Sequence, residues 1–290
     1  MKKINYSILM LYQNAIFKGK IRIKTWIQRT WAKVFFIKTH YPHRLVFIAG
    51  LPKSGTTWLE NLIGAIPGYR RLVCYDLNNS LFEHKLESAV FEVLPSRGNF
   101  FTKTHVEASI EGVSALRRFG VPTVIMVRDL RDQCVSRFYH VLNDPTHRHH
   151  KLYSQNERSY AFSHCVKITI DEYLIWVDDW LKAAEIDNDS FLVVRYEDMY
   201  SNPKKEFNRV LTHFDIKLSD EAVDSILNAI SKSSLEGRNI EERLNTHKNT
   251  LRKGGSGDWK NHLSAEDIES FKLKANHQLI KLGYESDADW

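Results

Sequence analysis

The stretch Leu45-Val46-Phe47-Ile48-Ala49-Gly50-Leu51-Pro52-Lys53-Ser54-Gly55-Thr56-Thr57-Trp58 decides the fold. Its first five residues are an unbroken apolar run, as expected of a strand buried on both faces of a parallel sheet. A Gly/Pro/Ser loop follows from Gly50 to Gly55, and a helix is expected from Thr56 to about Ile66, ended by Pro67-Gly68. Backbone N–H groups at such a helix start converge on one spot, and the helix dipole favours negative charge there. Gly55 lets the backbone approach a ligand, Lys53 adds a mobile positive charge, and Thr56 and Thr57 add hydroxyl donors. The stretch is therefore built for a phosphate-like group. It is not an ordinary triphosphate loop. Gly50 and Gly55 keep the spacing of GxxxxGK[ST], but Thr56 stands where the lysine belongs and the lysine lies upstream at position 53.

Outward from this unit, short apolar runs recur at Leu72–Tyr75, Asn99–Thr102, Thr123–Val127 and Phe191–Val194. Helical patterns accompany them at Ile110–Phe119, Asp132–Val141, Ile168–Ala184, Pro203–Phe214 and Glu221–Ile230. Alternation of this kind predicts an α/β fold: a single P-loop-like domain with a central parallel sheet flanked by helices. Asn143–Tyr160 and Ser231–Lys260 read as long loops, which in a domain are usually functional. A length of 290 residues suits one such domain, and 43% hydrophobic with 26% charged residues suits a globular chain.

The net charge of +6 is unevenly spread. Residues 1–44 carry ten basic side chains and no acidic one, leaving 31 basic against 35 acidic residues elsewhere. The division expected is a basic amphipathic extension over 1–43 and a catalytic domain over 44–290. Within the extension Ile23, Trp26, Ile27, Trp31 and Val34 share one helical face, and Lys18, Arg22, Arg29 and Lys33 gather on another. Such a helix lies on an anionic membrane surface or packs on the domain with its basic face in water; both readings stand. A nucleic-acid arm is the weaker reading, and no nucleic-acid partner is expected. The apolar runs fall short of the roughly 20 residues a span requires, and no clear signal-peptide cleavage site follows them. Cys74, Cys134 and Cys165 are odd in number and widely spaced, which suits a reducing, cytoplasmic location, peripheral at a membrane surface if the first reading of the extension holds. His147, His149 and His150 cluster in a basic stretch without a nearby Cys or Glu and read as a solvated loop rather than a metal site.

Five ordered motifs carry a resemblance. They are Pro52-Lys53-Ser54-Gly55-Thr56-Thr57-Trp58, then Lys103-Thr104-His105 after a strand, and Arg128 with Ser136 in RDLRDQCVSRFYH. Tyr196-Glu197-Asp198 and the late run from Arg252 through Lys253 and Gly254 to Lys260 complete the set. Together they resemble the sulfotransferases that use 3′-phosphoadenosine-5′-phosphosulfate (PAPS), above all the cytosolic type; the helix bearing Trp176 and Trp180 is also similar. The resemblance implies transfer of a sulfonate to a hydroxyl or amine acceptor, with adenosine 3′,5′-bisphosphate (PAP) as product and no metal.

By that resemblance the first loop holds the phosphosulfate and Trp58 stacks on adenine. His105 is the expected base, because a group with a free pKa near ~6.5 suits removal of the acceptor proton. Alone it would read as a core histidine. Lys53 and Lys103 are expected to stabilise charge on the departing phosphate. Arg128 and Ser136 are expected on the 3′-phosphate, with Arg252, Lys253 and Gly254 closing over it. Pairing of Arg128 with Asp129 or Asp132 is the plainer alternative. Tyr196 reaches the adenine edge or is simply structural, and Ser233 resembles a cofactor-contacting position. Val106 and Glu107 replace a leucine and a proline, Leu235 stands at a phenylalanine position, and the segment from 233 to 252 is short. These departures bear on the acceptor pocket. The acceptor class stays open among small molecules, glycans and lipid-linked hydroxyls, and the Lys/His/Arg run at Thr146–Lys151 hints at an anionic or membrane-bound one. Two rivals remain: an atypical P-loop kinase using Mg-ATP, and a non-catalytic nucleotide-binding scaffold at a membrane.

Overall fold

Successive residues of a strand face opposite sides of its sheet, and the first strand shows what that requires here. In the computed structural model, which describes residues 41–72, 91, 98–231 and 255–290, strand β1 (Leu45–Gly50) is buried at all six positions. Leu45, Phe47 and Ala49 belong to one core, while Val46 and Ile48 belong to the other. An unbroken apolar run is the pattern that serves two cores at once.

The sheet has five strands in the order β2-β3-β1-β4-β5, where β2 is Tyr69–Arg71, β3 Asn99–Thr104, β4 Thr123–Val127 and β5 Phe191–Arg195. Every pairing is parallel. The register decides where the site falls. Ala49 pairs with Thr104, Gly50 with Met126, and Val127 with Arg195. The residues that next leave the sheet are Leu51, His105, Arg128 and Tyr196, so one carboxyl edge collects four of the five motifs. Open α/β sheets place ligands at such an edge.

Helix α1 (Thr56–Ala65) packs Leu59, Leu62 and Ile63 on one face of the sheet. It is joined there by α8 (Pro203–His213), through Phe207, Val210 and Leu211, and by α9 (220–231). On the other face lie α2 (Ile110–Arg118), α3 (Leu130–Leu142), α5 (Arg158–Ile168) and α6 (Leu174–Ile186). The short helices α4 (His150–Gln155) and α7 (Tyr196–Ser201) and a late 3-10 turn at Asp258–Asn261 complete the connections.

Several expectations are corrected. The stretch 143–160 is not one long loop. Helix α4 interrupts it, because Tyr153 is buried and its ring stacks on Phe138 at 5.3 Å between centroids; one anchoring aromatic outweighs polar neighbours. The helix expected from Ile168 begins ten residues earlier, as α5, and runs through a π-turn at Thr169–Tyr173 into α6. There Thr169 Oγ1 donates back to the carbonyl of Cys165 at 2.9 Å. Strand β2 begins earlier than the run expected at Leu72–Tyr75, of which only Leu72 is among the described residues. Tyr69 stacks on Tyr41 at 4.8 Å, and Leu72 N–H adds one more bond to Phe101 O at 2.8 Å. A C-terminal helix, α10 (Ala265–Lys281), was not anticipated, although Ser264 and Asp267 form a full capping box and Phe271, Ala275 and Leu279 keep helical spacing. The basic extension over 1–40, Cys74, Ser233, Leu235, Arg252, Lys253 and Gly254 lie outside the described residues.

Candidate active site

The loop after β1 turns tightly because Ser54 donates from both its N–H and its Oγ to Leu51 O, at 3.2 and 2.8 Å. Two residues take left-handed backbone angles, Lys53 at φ 72° and Gly55 at φ 92°. A Cβ on Gly55 would sit 2.6 Å from Tyr196 Cδ2, so both conformation and space demand glycine there. Helix α1 starts directly from this turn, with Trp58 N–H donating to Gly55 O at 2.9 Å. The loop is held from its carbonyl side: Gln133 Nε2 donates to Pro52 O at 2.7 Å and Arg128 Nη1 to Lys53 O at 3.1 Å. Ser54 and Thr56 are buried, and Thr57 is exposed. Burial and the nearby Arg128 charge lower Lys53 to about 8.

Lys103 closes β3 and reaches α1. Its Nζ lies 2.9 Å from Glu60 Oε2 and donates to Thr57 Oγ1 at 3.3 Å. Glu60 also pairs with Arg71 Nε at 2.5 Å. The next residue but one, His105, is half-buried, and its Nδ1 bonds Gly50 O. A carbonyl can only accept, so Nδ1 carries the proton and Nε2 keeps its lone pair. Burial lowers the pKa of His105, the Gly50 bond opposes that, and the Lys103 charge adds to it. The imidazole is therefore neutral near pH 7. Its backbone is braced one residue on. Trp176 and Trp180, four apart on α6, both donate their indole N–H to Val106 O, at 2.7 and 3.0 Å.

Arg128 leaves β4 and lies with its guanidinium 4.4 Å from the Tyr196 ring centre, donating through Nη2 to Gly255 O at 3.0 Å. Its Nε is buried with no hydrogen-bond partner. The plainer pairing with Asp129 or Asp132 does not occur. Asp129 is bound by Arg131 at 2.7 Å, and the Asp132 carboxylate accepts the N–H groups of Gly257 and Trp259 at 2.6 and 2.9 Å. Those two bonds anchor the late segment, and Gly255 N–H donates to Tyr196 OH at 3.3 Å. Trp58 meets Tyr196 edge-on at 6.2 Å. Ser136 is half-buried in α3, one turn beyond Asp132 and Gln133.

The structure thus brings together Pro52 to Trp58, Lys103, His105, Arg128 and Tyr196. Two contributors were not singled out from sequence, Glu60 and Gln133, and Asp132 was considered only as a partner of Arg128, not as the anchor of the late segment. Thr57 and Glu60 are three apart on one helix, so for Glu60 spacing offered a partial signal. Nothing in sequence pairs Gln133 with Pro52. The buried Nε of Arg128, the left-handed turn and the cationic side chains suit a ligand with phosphate groups.

Residues 43–283 match the family model described as the sulfotransferase domain. Sulfotransferase 1E1 of Bos taurus is 24% identical over 274 residues, covering 82% of this chain and 84% of the relative. Among solved structures, mouse sulfotransferase SULT7A1 complexed with PAP superposes with a TM-score of 0.64 at 19% identity, covering 81% of this chain and 84% of that one. Retinol dehydratase in a complex with retinol and PAP gives a TM-score of 0.59 at 19% identity, covering 83% and 82%. The chain belongs to the sulfotransferase family, the PAPS-dependent enzymes that its five motifs resemble.

Proposed function

We propose that the protein transfers a sulfonate from PAPS to a hydroxyl or amine of an acceptor by in-line displacement, with His105 as the base. The observation that carries this reading is the meeting of the β1 loop, Lys103, His105, Arg128 and Tyr196 at one sheet edge, in the register that pairs Ala49 with Thr104 and Val127 with Arg195. PAPS, when bound, supplies an activated sulfonate whose leaving group is PAP.

The roles of this chain's residues follow from their chemistry. The loop that follows Pro52, through N–H groups from Lys53 to Thr57 and the Thr hydroxyls, would hold the 5′-phosphosulfate, and Trp58 and Tyr196 would flank the adenine. Arg128 and Ser136 would take the 3′-phosphate, for which the buried, unpartnered Nε of Arg128 is a ready donor. Arg252, Lys253, Gly254 and Ser233 are assigned to the same cofactor on motif grounds alone. His105 takes the acceptor proton at Nε2, and its Nδ1–H bond to Gly50 O fixes the tautomer. Lys53 and Lys103 lower the barrier because fixed cations gain most as charge grows on the leaving phosphate.

The acceptor class has a small molecule as its simplest member; the retinol dehydratase of similar fold is in a complex with retinol and PAP together. Glycan and lipid-linked hydroxyls remain in the proposal because ten basic residues and no acidic one fill positions 1–44. We place the domain at 44–290 and assign the extension to an anionic cytoplasmic membrane surface. Sedimentation with phosphatidylserine vesicles tests that assignment: reversing Lys18, Arg22, Arg29 and Lys33 to Glu abolishes it, and unchanged sedimentation would dismiss it. No described helix is long and apolar enough to cross a membrane.

The test of the activity uses labelled PAPS in EDTA with a panel of phenols, alcohols and amines. Labelled sulfonate on an acceptor, lost in His105→Gln, is expected. Phosphoryl transfer from Mg-ATP without any sulfonate transfer would overturn the reading.

A further inference from the structure

Arg137 is a buried cation with no carboxylate partner among the described residues. Its residue is 5% exposed, its guanidinium lies 5.5 Å from the Tyr173 ring centre and also bonds that side chain, and Nη1 donates to Tyr153 OH at 3.4 Å and to Cys165 Sγ at 3.5 Å. The two Nη1 bonds are long, and all these partners are neutral groups in their ordinary state. A charge taken out of water normally meets an opposite charge. Arg131, on the same helix, has that: Asp129 and Glu285 lie 2.7 and 2.5 Å away. Arg137 pairs with no acid among the described residues.

Around it stands a wall of imidazoles. Ring centres of His140 and His147 are 6.3 Å apart, those of His147 and His149 5.6 Å, and those of His149 and His164 5.3 Å. Tyr153 OH joins Arg137 to His164 Nδ1, at 3.4 Å from each. Nε2 of His149 is buried with no hydrogen-bond partner. One acid, Asp144, borders the wall, but its carboxylate is exposed and accepts both the N–H and the Oγ1 of Thr146, at 3.0 and 2.6 Å. The wall abuts the donor loop. Gln133, which binds Pro52 O at 2.7 Å, lies one helical turn before Arg137, and His140 lies one turn beyond. His140 also feels the charge of Lys53.

We propose that Arg137 and this imidazole wall bind a compact anionic group on the acceptor, a carboxylate or sulfate, so that the preferred acceptor carries a negative charge as well as its nucleophile. This rests on the sulfotransferase reading and specifies its acceptor. A guanidinium fork suits two oxygens of one anion. The imidazoles of His140, His147 and His149, when neutral, add N–H donors without like-charge repulsion. Burial, the largest influence, lowers the pKa of His140 and His147 and brings His149 down to about 4. The thiol of Cys165 is the competing counter-ion. Its bond to Cys134 and the Arg137 charge bring it down to about 7 against the opposing effect of burial. A thiolate there would occupy Arg137 internally, and the experiment separates the two.

Phenolic carboxylates, such as 4-hydroxybenzoate and 4-hydroxyphenylacetate, are compared with their methyl esters as acceptors for labelled PAPS. The wild type is expected to favour the acids at least tenfold in kcat/KM, and Arg137→Gln to bring that ratio to about one. His149→Gln, at a half-buried position, lowers it at least threefold and covers the case in which Arg137→Gln fails to fold. PAP should raise the melting point of both variants as it does the wild type. A protein that PAP does not stabilise at all would mean that the sulfotransferase reading has failed instead. Wild-type preference for the esters would overturn the anion proposal. So would an Arg137→Gln variant that keeps the acid preference and changes only the alkylation rate of Cys165.

Discussion

Replacing His105 by Gln removes a base while leaving a donor for Gly50 O. In the native protein Nδ1 is tied to that carbonyl, and Nε2 alone is left to take a proton. A glutamine amide can keep the tie but has no basic nitrogen. General-base catalysis is worth about 10²–10⁴ in rate. At ~1.36 kcal/mol per decade this is about 2.7–5.5 kcal/mol of barrier. The two indole bonds to Val106 O hold the neighbouring peptide regardless of the side chain at 105, so the fold and the donor loop should survive. The assay is initial-rate transfer of labelled sulfonate to a phenol between pH 5 and 9, beside calorimetry with PAP. The wild type should show an acid limb with its midpoint below pH 6.5, because the folded pKa is lowered and the free base persists until the pH falls through it. The variant should lose at least a hundredfold in kcat, lose the acid limb, and bind PAP within threefold of the wild type. A loss under tenfold with the acid limb retained would refute the assignment.

Other expectations follow from single contacts. Lys53, lowered to about 8, carries its charge below that pH and loses it above, so kcat/KM of the free enzyme should decline above about pH 8 and Lys53→Arg should move that limb upward. Gly55→Ala places a Cβ 2.6 Å from Tyr196 Cδ2 at φ 92°, and calorimetry should show PAP binding weakened at least tenfold. Trp180→Phe removes one of two donors to Val106 O and should cost about 1 kcal/mol of stability in a urea titration, with the other indole keeping the carbonyl satisfied. Arg131→Met strands Asp129 and Glu285 and vacates the slot between Trp259 and Trp290, at 4.1 and 4.3 Å, so it should cost about 3 kcal/mol or more in the same titration.

The parts of the molecule visible in sequence are those in which one physical requirement dominates locally. Leu45 to Ala49 must serve two cores, so every residue is apolar; Thr123–Val127 is legible for the same reason. The turn at Gly55 needs a left-handed backbone close to Tyr196, so it needs glycine. What stayed hidden depends on partners far along the chain. Edge strand β2 is set by Tyr69 stacking on Tyr41, not by the apolar run after it. Helix α4 depends on Tyr153 reaching Phe138. Gln133 holds Pro52 across 81 positions, and Glu60 holds Lys103 across the α1–β3 packing. Helix α10 is the opposite case: its start is written locally, in the Ser264–Asp267 capping box.

The central claim is a donor site that distinguishes PAP by its 3′-phosphate. Calorimetry in EDTA with PAP and with adenosine 5′-phosphate tests it most directly. Each charge-assisted bond to that phosphate is worth about 1.5–3 kcal/mol, or roughly tenfold to a hundredfold in affinity. With Arg128 and the late loop both engaged, PAP should bind at one site per chain and at least a hundredfold more tightly than adenosine 5′-phosphate. Equal affinities, or tight binding of Mg-ATP alone, would contradict the account.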